Sequence, residues 1–529
     1  MQDKKVSTPG RFGRRGLYAA IAGVAVLEVA YGCVGEENIE EFVNEHVGST
    51  AEALASGATC GGTFNVDARK SLFVTEQSIL TNFTFQRVMD TLTSRAGVTN
   101  SSLSVYQQWW DTQNKKPGVT TGGAHCDDVT NTAGQGTLNG FPFNQCPRSE
   151  GALASTNPFT GSDSYIPIGL VNRFDLAPVD GSHCGEYRIV FAKNSGTTGG
   201  RNLVIFEGVL PNPQGSGLAG CCPVAQFWAE LSSDPSPASR ATKLDNFFFN
   251  GLPGFAPVVR PEHYGMLGAG TYSNSRGQIR SNQFTSFPWT LKDFRLDKVC
   301  TTTTTGGVDV EETSTTTCKL LVRPETVKNN PFGRQFNDGN SVAFQDHFLT
   351  QVAGLQATNV NAITMDINNT FNAPDSPDAA VSNYSSQLGA TFAGRISSQL
   401  VANGNPQGLT PANIANRAET QTCIGCHAPG MTSSLGGGLT WPSSLGFTHV
   451  EEFTEAGPDG SRFRISPALT NVFLPHRKQV LESFLLNPSL AGPSSAPEES
   501  LAGPIAVDDG VESVAAPTRV RTLGGSTTH

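Results

Sequence analysis

The chain is predicted to be a multidomain α+β protein, with a large mixed, strand-rich domain first and a small domain bounded by helices after it. Three observations carry this. From Tyr165 to Leu210, three short runs rich in β-branched and aromatic residues (165–171, 186–191 and 202–206) are separated by Gly, Pro and Asp turns. On either side, apolar residues recur at helical spacing. Finally, residues 403–487 show helical segments at both ends. With 529 residues, the chain is long enough for two domains with real cores. Its 57 Gly and 32 Pro, against 16% charged residues, point to many turns and loops. The net charge of −10, with no basic cluster beyond the N-terminal segment, argues against a nucleic-acid partner.

Residues 1–33 read as a bacterial export signal. Lys4, Lys5, Arg11, Arg14 and Arg15 precede an apolar run from Leu17 to Leu27 that is too short to span a bilayer. The run ends in Ala30-Tyr31-Gly32-Cys33, which resembles a lipoprotein processing site with Cys33 as the lipidated residue. Glu28, Ala30 and Tyr31 depart from that pattern, so a cleaved signal without lipid stays open. Arg14-Arg15 also permits a twin-arginine signal. Residues 34–58 form an acidic linker (Glu36, Glu37, Glu40, Glu41, Glu45).

The mixed α/β domain is expected over 59–402. Phe85, Val88, Met89 and Leu92 define one amphipathic helix, and Val105, Trp109 and Trp110 a second. After the three strands, residues 224–231 read as helix, 277–294 and 319–322 as further strands, and 342–355 and 378–402 as helices. No internal repeat and no enzyme signature is evident here. Past Leu486 the chain turns Pro/Ser/Ala/Gly-rich, the composition of a disordered tail over 488–529.

The residues with the most chemistry are Cys423-Ile424-Gly425-Cys426-His427. On one helical turn, Cys423 and Cys426 share a face, and His427 follows at i+4 from Cys423. Residues 410–420 ahead of them read as a helix with a Thr cap and Pro at its first position. This spacing resembles the c-type cytochromes, over residues 403–487 only. The resemblance implies a small all-α domain over 403–487 with one covalent heme c per chain, Cys423 and Cys426 holding the ring and His427 as the proximal iron ligand. Other readings of the pair are half a zinc site, which lacks a second CxxC or HxxxH nearby, and a redox dithiol, which lacks a βαβ context.

Many relatives in the resembled family place a Met well downstream as the sixth ligand. This chain has only Met431 after His427. His449, beyond a flexible Gly/Pro-rich loop, is the favoured distal metal ligand, with His476 next; His263 and Met266 are conceivable from the larger domain. Two imidazoles would suit electron transfer. An open iron would admit peroxide or oxygen, and a small-molecule substrate with it.

Of the 11 cysteines, Cys33, Cys423 and Cys426 are assigned above. Eight remain, enough for four disulfides in an oxidising compartment. Cys300 and Cys318 are the safest pair, and adjacent Cys221 and Cys222 must have separate partners; free buried thiols are the alternative. Weaker motifs are Asp375/Asp378 (calcium or a turn), Asp180 to His183, and Gly436-Gly437-Gly438. The expected function is one-electron transfer by an exported mono-haem cytochrome, in the periplasm or at the outer membrane. It would be lipid-anchored and meet a redox partner protein. The alternatives are a haem peroxidase or oxygenase, or a surface binding lipoprotein without haem.

Overall fold

The computed structural model describes residues 60, 62–196, 200–215, 217–265, 277–307, 310–427 and 433–486. The export segment with Cys33, the acidic linker, the tail, Met266 and Met431 lie outside the described residues. The fold is mixed α/β, built on a large antiparallel sheet.

The strands in chain order are β1 (Phe73–Val74), β2 (Thr137–Leu138), β3 (Phe141–Pro142), β4 (Tyr165–Arg173), β5 (His183–Lys193), β6 (Asn202–Pro211) and β7 (Gln278–Gln283). They continue with β8 (Thr290–Gly307), β9 (Val310–Glu325), β10 (Ser376–Pro377), β11 (Ser434–Gly436), β12 (Leu439–Thr440), β13 (Val450–Gly457) and β14 (Gly460–Ile465). The main sheet runs β1-β4-β5-β6-β7-β8, and β8 pairs on its far edge with both β9 and β10. The three expected strands are its centre.

Side chains alternate across a pleated strand, so pairing register decides which residues share a face. Phe206 on β6, Ile279 on β7 and Phe294 on β8 stand side by side on one face. The Ser102–Asp111 helix covers it, with the Trp109 ring 6.0 Å from Phe206 and 5.4 Å from Phe294 between centroids. The Phe85–Ala96 helix packs beside it, ending on Gly97 at φ 59°, the left-handed stop that glycine permits. The opposite face carries ions, with Arg188 opposite Glu207 and Arg280 opposite Asp293, all buried or nearly so. A polar row this deep is held by mutual pairing.

Four disulfides close the fold: Cys60–Cys222, Cys126–Cys146, Cys184–Cys221 and Cys300–Cys318. The expected pairing of Cys300 with Cys318 is present, between directly opposed positions of β8 and β9. Cys221 and Cys222 do take separate partners. Among the described residues no helix is long and apolar enough to cross a membrane.

Residues 403–487 differ from the all-α expectation. The Pro411–Thr420 and Leu474–Leu486 helices are present, but two β-hairpins lie between them, β11/β12 and β13/β14. The second follows from its sequence. Gly457 and Gly460 face each other across Pro458-Asp459, and Arg462 donates to Glu455 at 2.8 Å across the strands. One hydrophobic core runs through residues from Cys60 to Leu485, and the Phe174 and Phe484 rings meet at 4.7 Å within it.

Candidate functional site

The Pro411–Thr420 helix sets the position of the cysteines. It starts as expected, with Thr410 capping the Asn413 N–H, Asn413 returning the bond, and Pro411 in the first turn. Arg417 then fastens it from within. Its guanidinium donates to the carbonyls of Leu435 (2.7 Å), Leu355 (2.8 Å) and Ala357 (2.8 Å). After a tight bend at Gln421-Thr422, the single turn Cys423–His427 follows. Its first amides are satisfied from outside: Ser376 Oγ accepts from Ile424 N at 3.0 Å, and Thr422 Oγ1 from Gly425 N at 3.0 Å. Position 425 must be glycine, because a Cβ there would overlap the Glu419 carbonyl.

Cys423 and Cys426 are buried and, among the described cysteines, the ones outside a disulfide. Cys423 packs with Leu291, Val327, Ile424 and Phe447. Burial pushes both thiols up to about 12, the Arg280 guanidinium opposing this at Cys423. A reactive redox dithiol needs the opposite shift, so this pair does not resemble one.

The structure brings His449 to His427. His427 Nδ1 lies 3.0 Å from the Phe447 carbonyl, and His449 Nδ1 lies 2.8 Å from Ser466 Oγ. With Nδ1 engaged in each ring, Nε2 is the nitrogen left for a metal. His449 Nε2 is 3.3 Å from Cys426 Sγ, and the two ring centroids are 4.6 Å apart. One donor atom each from Cys426, His427 and His449 fall within 4.8 Å of one another. Burial holds His427 down to about 4 and His449 well below its ordinary value. Both are neutral near pH 7, the form that binds metal.

The other candidates lie elsewhere or do other work. His263 is buried, with Nδ1 3.1 Å from the Val258 carbonyl. His476 is half-buried at the start of the last helix, outside the Cys426, His427 and His449 cluster. Asp180 Oδ1 accepts from Ser182 N and His183 Nδ1 from Gly185 N, which makes that motif a turn. Gly436-Gly437-Gly438 turns β11 into β12 with positive φ at all three. Asp375 faces Lys292, and Asp378 is a β10-flanking residue whose N–H donates to the Trp289 carbonyl.

Sequence reasoning did not single out the ionic face beneath the cysteines. Glu207 is shared by Arg188 (3.2 Å) and Arg280 (3.3 Å), and Arg280 also donates to Asp293 at 2.9 Å. Asp175 is shared by Arg173 (2.9 Å) and Arg477 (3.7 Å). Burial and the neighbouring Arg173 hold Arg477 down to about 9. The signal was a scattering of charges on one face of the strands, such as Glu186 and Arg188 on β5, which alone describes a solvated sheet face just as well.

Donor chemistry at Cys423, Cys426 and His427 fits a thioether-linked haem. The spacing of His427 and His449 is tighter than two ligands on opposite sides of one iron. Those would stand with centroids roughly 6 Å apart, each metal–nitrogen bond taking about 2 Å. A single metal ion needs no such separation. No protein-family model, curated protein or solved structure matches the chain.

Proposed function

We propose that the chain is an exported one-electron carrier whose redox group is a c-type haem borne by Cys423 and Cys426, with His427 as its iron ligand. One observation supports this above the rest. Eight described cysteines are oxidised to four disulfides, yet the two at CxxCH spacing are not bridged. In a compartment that oxidises the others, an i, i+3 pair stays open when other chemistry claims it. The haem supplies reversible iron oxidation when bound.

The chain's residues do the rest. The Phe447 carbonyl fixes the His427 tautomer, and His449, whose Nε2 lies 3.3 Å from Cys426 Sγ, would supply a second imidazole. The buried Arg280, Arg173 and Arg477 and the nearly buried Arg188, each paired to a carboxylate, would tune the potential of a group held there through their fixed charge. The disulfides favour an oxidising location. Cys33 is proposed as the lipid anchor to the membrane, and the partner as a redox protein, not a nucleic acid.

The 4.8 Å donor cluster favours a second reading, a single transition-metal ion on Cys426, His427 and His449. A sulfur with two imidazoles suits zinc or copper. The test is a pyridine haemochrome assay together with elemental metal analysis, on protein from a host that matures c-type cytochromes. One haem per chain, lost in a C423A/C426A variant, is the expected result. Stoichiometric metal without haem replaces it with the second reading, and neither group defeats both.

A further inference from the structure

On the apolar face of the main sheet stands a lysine. Lys292 on β8 lies opposite Ser281 of β7, and Ser281 opposite Val204 of β6, within the face that Trp109 covers. Across the other edge of β8, Ser376 pairs with Leu291 and Pro377 with Thr290. One step further along that antiparallel register, Asp375 stands beside Lys292. Both are buried, at 3% and 0% exposure. Nζ lies 3.9 Å from Asp375 Oδ2, too far for a hydrogen bond, and both Nζ and Oδ1 lack any hydrogen-bond partner. Asp375 Oδ2 accepts from Asn144 N at 3.1 Å, and the Phe143 ring centroid is 4.8 Å from Nζ.

A buried ion pair with no hydrogen bond between its members is a poor arrangement, since the ammonium donates to nothing and the carboxylate recovers only the Asn144 N–H. The same placement suits a covalent outcome. We propose that Lys292 Nζ and the Asp375 carboxyl condense to an intramolecular isopeptide bond, cross-linking β8 to the segment that enters β10.

The step balances without any co-reactant. The uncharged amine attacks Asp375 Cγ, and negative charge gathers on Oδ2, where the Asn144 N–H already points. Oδ1 leaves as water, taking the acid proton and one amine proton, and an N–C amide bond replaces the C–O bond. Burial favours the two reactive forms. It holds the amine down to about 8 and pushes the carboxyl above its ordinary range. The product removes both charges from the apolar face. It also fixes Ser376, the next residue, whose hydroxyl receives the first amide of the cysteine turn.

Peptide mapping of the full chain decides it. After reduction, alkylation and trypsin, the expected species is a branched peptide that joins the segments holding Lys292 and Asp375. It should be one water lighter than their sum, with no cleavage after Lys292. A D375N variant should give the same product with loss of ammonia, and D375A should give none. A linear peptide ending at Lys292, beside an intact peptide containing Asp375, overturns the proposal. That result needs only the unaltered protein, whether or not D375A folds.

Discussion

Replacing Arg417 with methionine tests whether the helix before the cysteines is fixed from inside. The side chain is fully buried and donates to five acceptors. Methionine fills similar space and satisfies none of them. The Leu355 and Leu435 carbonyls belong to buried residues and cannot all turn to water. Each acceptor stranded in this way costs about 1–3 kcal/mol. Removing a desolvated guanidinium returns part of that, which leaves a net loss of about 3–5 kcal/mol. Against a total stability of about 5–15 kcal/mol this is a large share. Urea unfolding followed by tryptophan fluorescence should show a lower midpoint at an unchanged slope. R417K should fall between, because an ammonium cannot span acceptors spread as a planar fork reaches them. A loss below about 1 kcal/mol for R417M would refute the reasoning.

Acid should weaken the fold through His183 and His263. Burial holds both down to about 4, so each unfolded histidine binds a proton first as pH falls. Their contribution is whole above about pH 6.5 and is lost down toward pH 4, at about 3 kcal/mol each. An H183Q/H263Q variant should flatten the pH dependence of the urea midpoint over that window; an unchanged slope counts against it. Removing Cys184–Cys221 as C184A/C221A opens a link across a separation of 37 residues. The chain-entropy estimate is about 4 kcal/mol, read as a lower urea midpoint, and an unchanged midpoint contradicts it.

The central strands, the first two long helices, the capped Pro411–Thr420 helix and the Cys300–Cys318 pair were legible because each rests on local chemistry. Periodicity, a cap or a short ladder announces itself within about a dozen residues. His449 was nominated on loop flexibility, and the structure places it beside His427 and Cys426 through the Ser466 contact. The β13/β14 hairpin was missed although Pro458-Asp459 is turn chemistry, because the resemblance to the cytochromes set an all-α expectation there. The Arg–carboxylate layer and the Lys292–Asp375 pair were out of reach. Both depend on which strands become neighbours, and Asp375 meets Lys292 only when β10 joins the edge of β8.

The contrast between the two faces of the sheet makes misalignment self-defeating. If β7 slid by one residue against β6, Ile279 would sit beneath the thiols and Arg280 among aromatic rings. A lone guanidinium stranded there costs several kcal/mol, far more than a flawed ladder of amides. Every slip by an odd number of residues is thereby rejected by its own chemistry, and the charged face stays under Cys423.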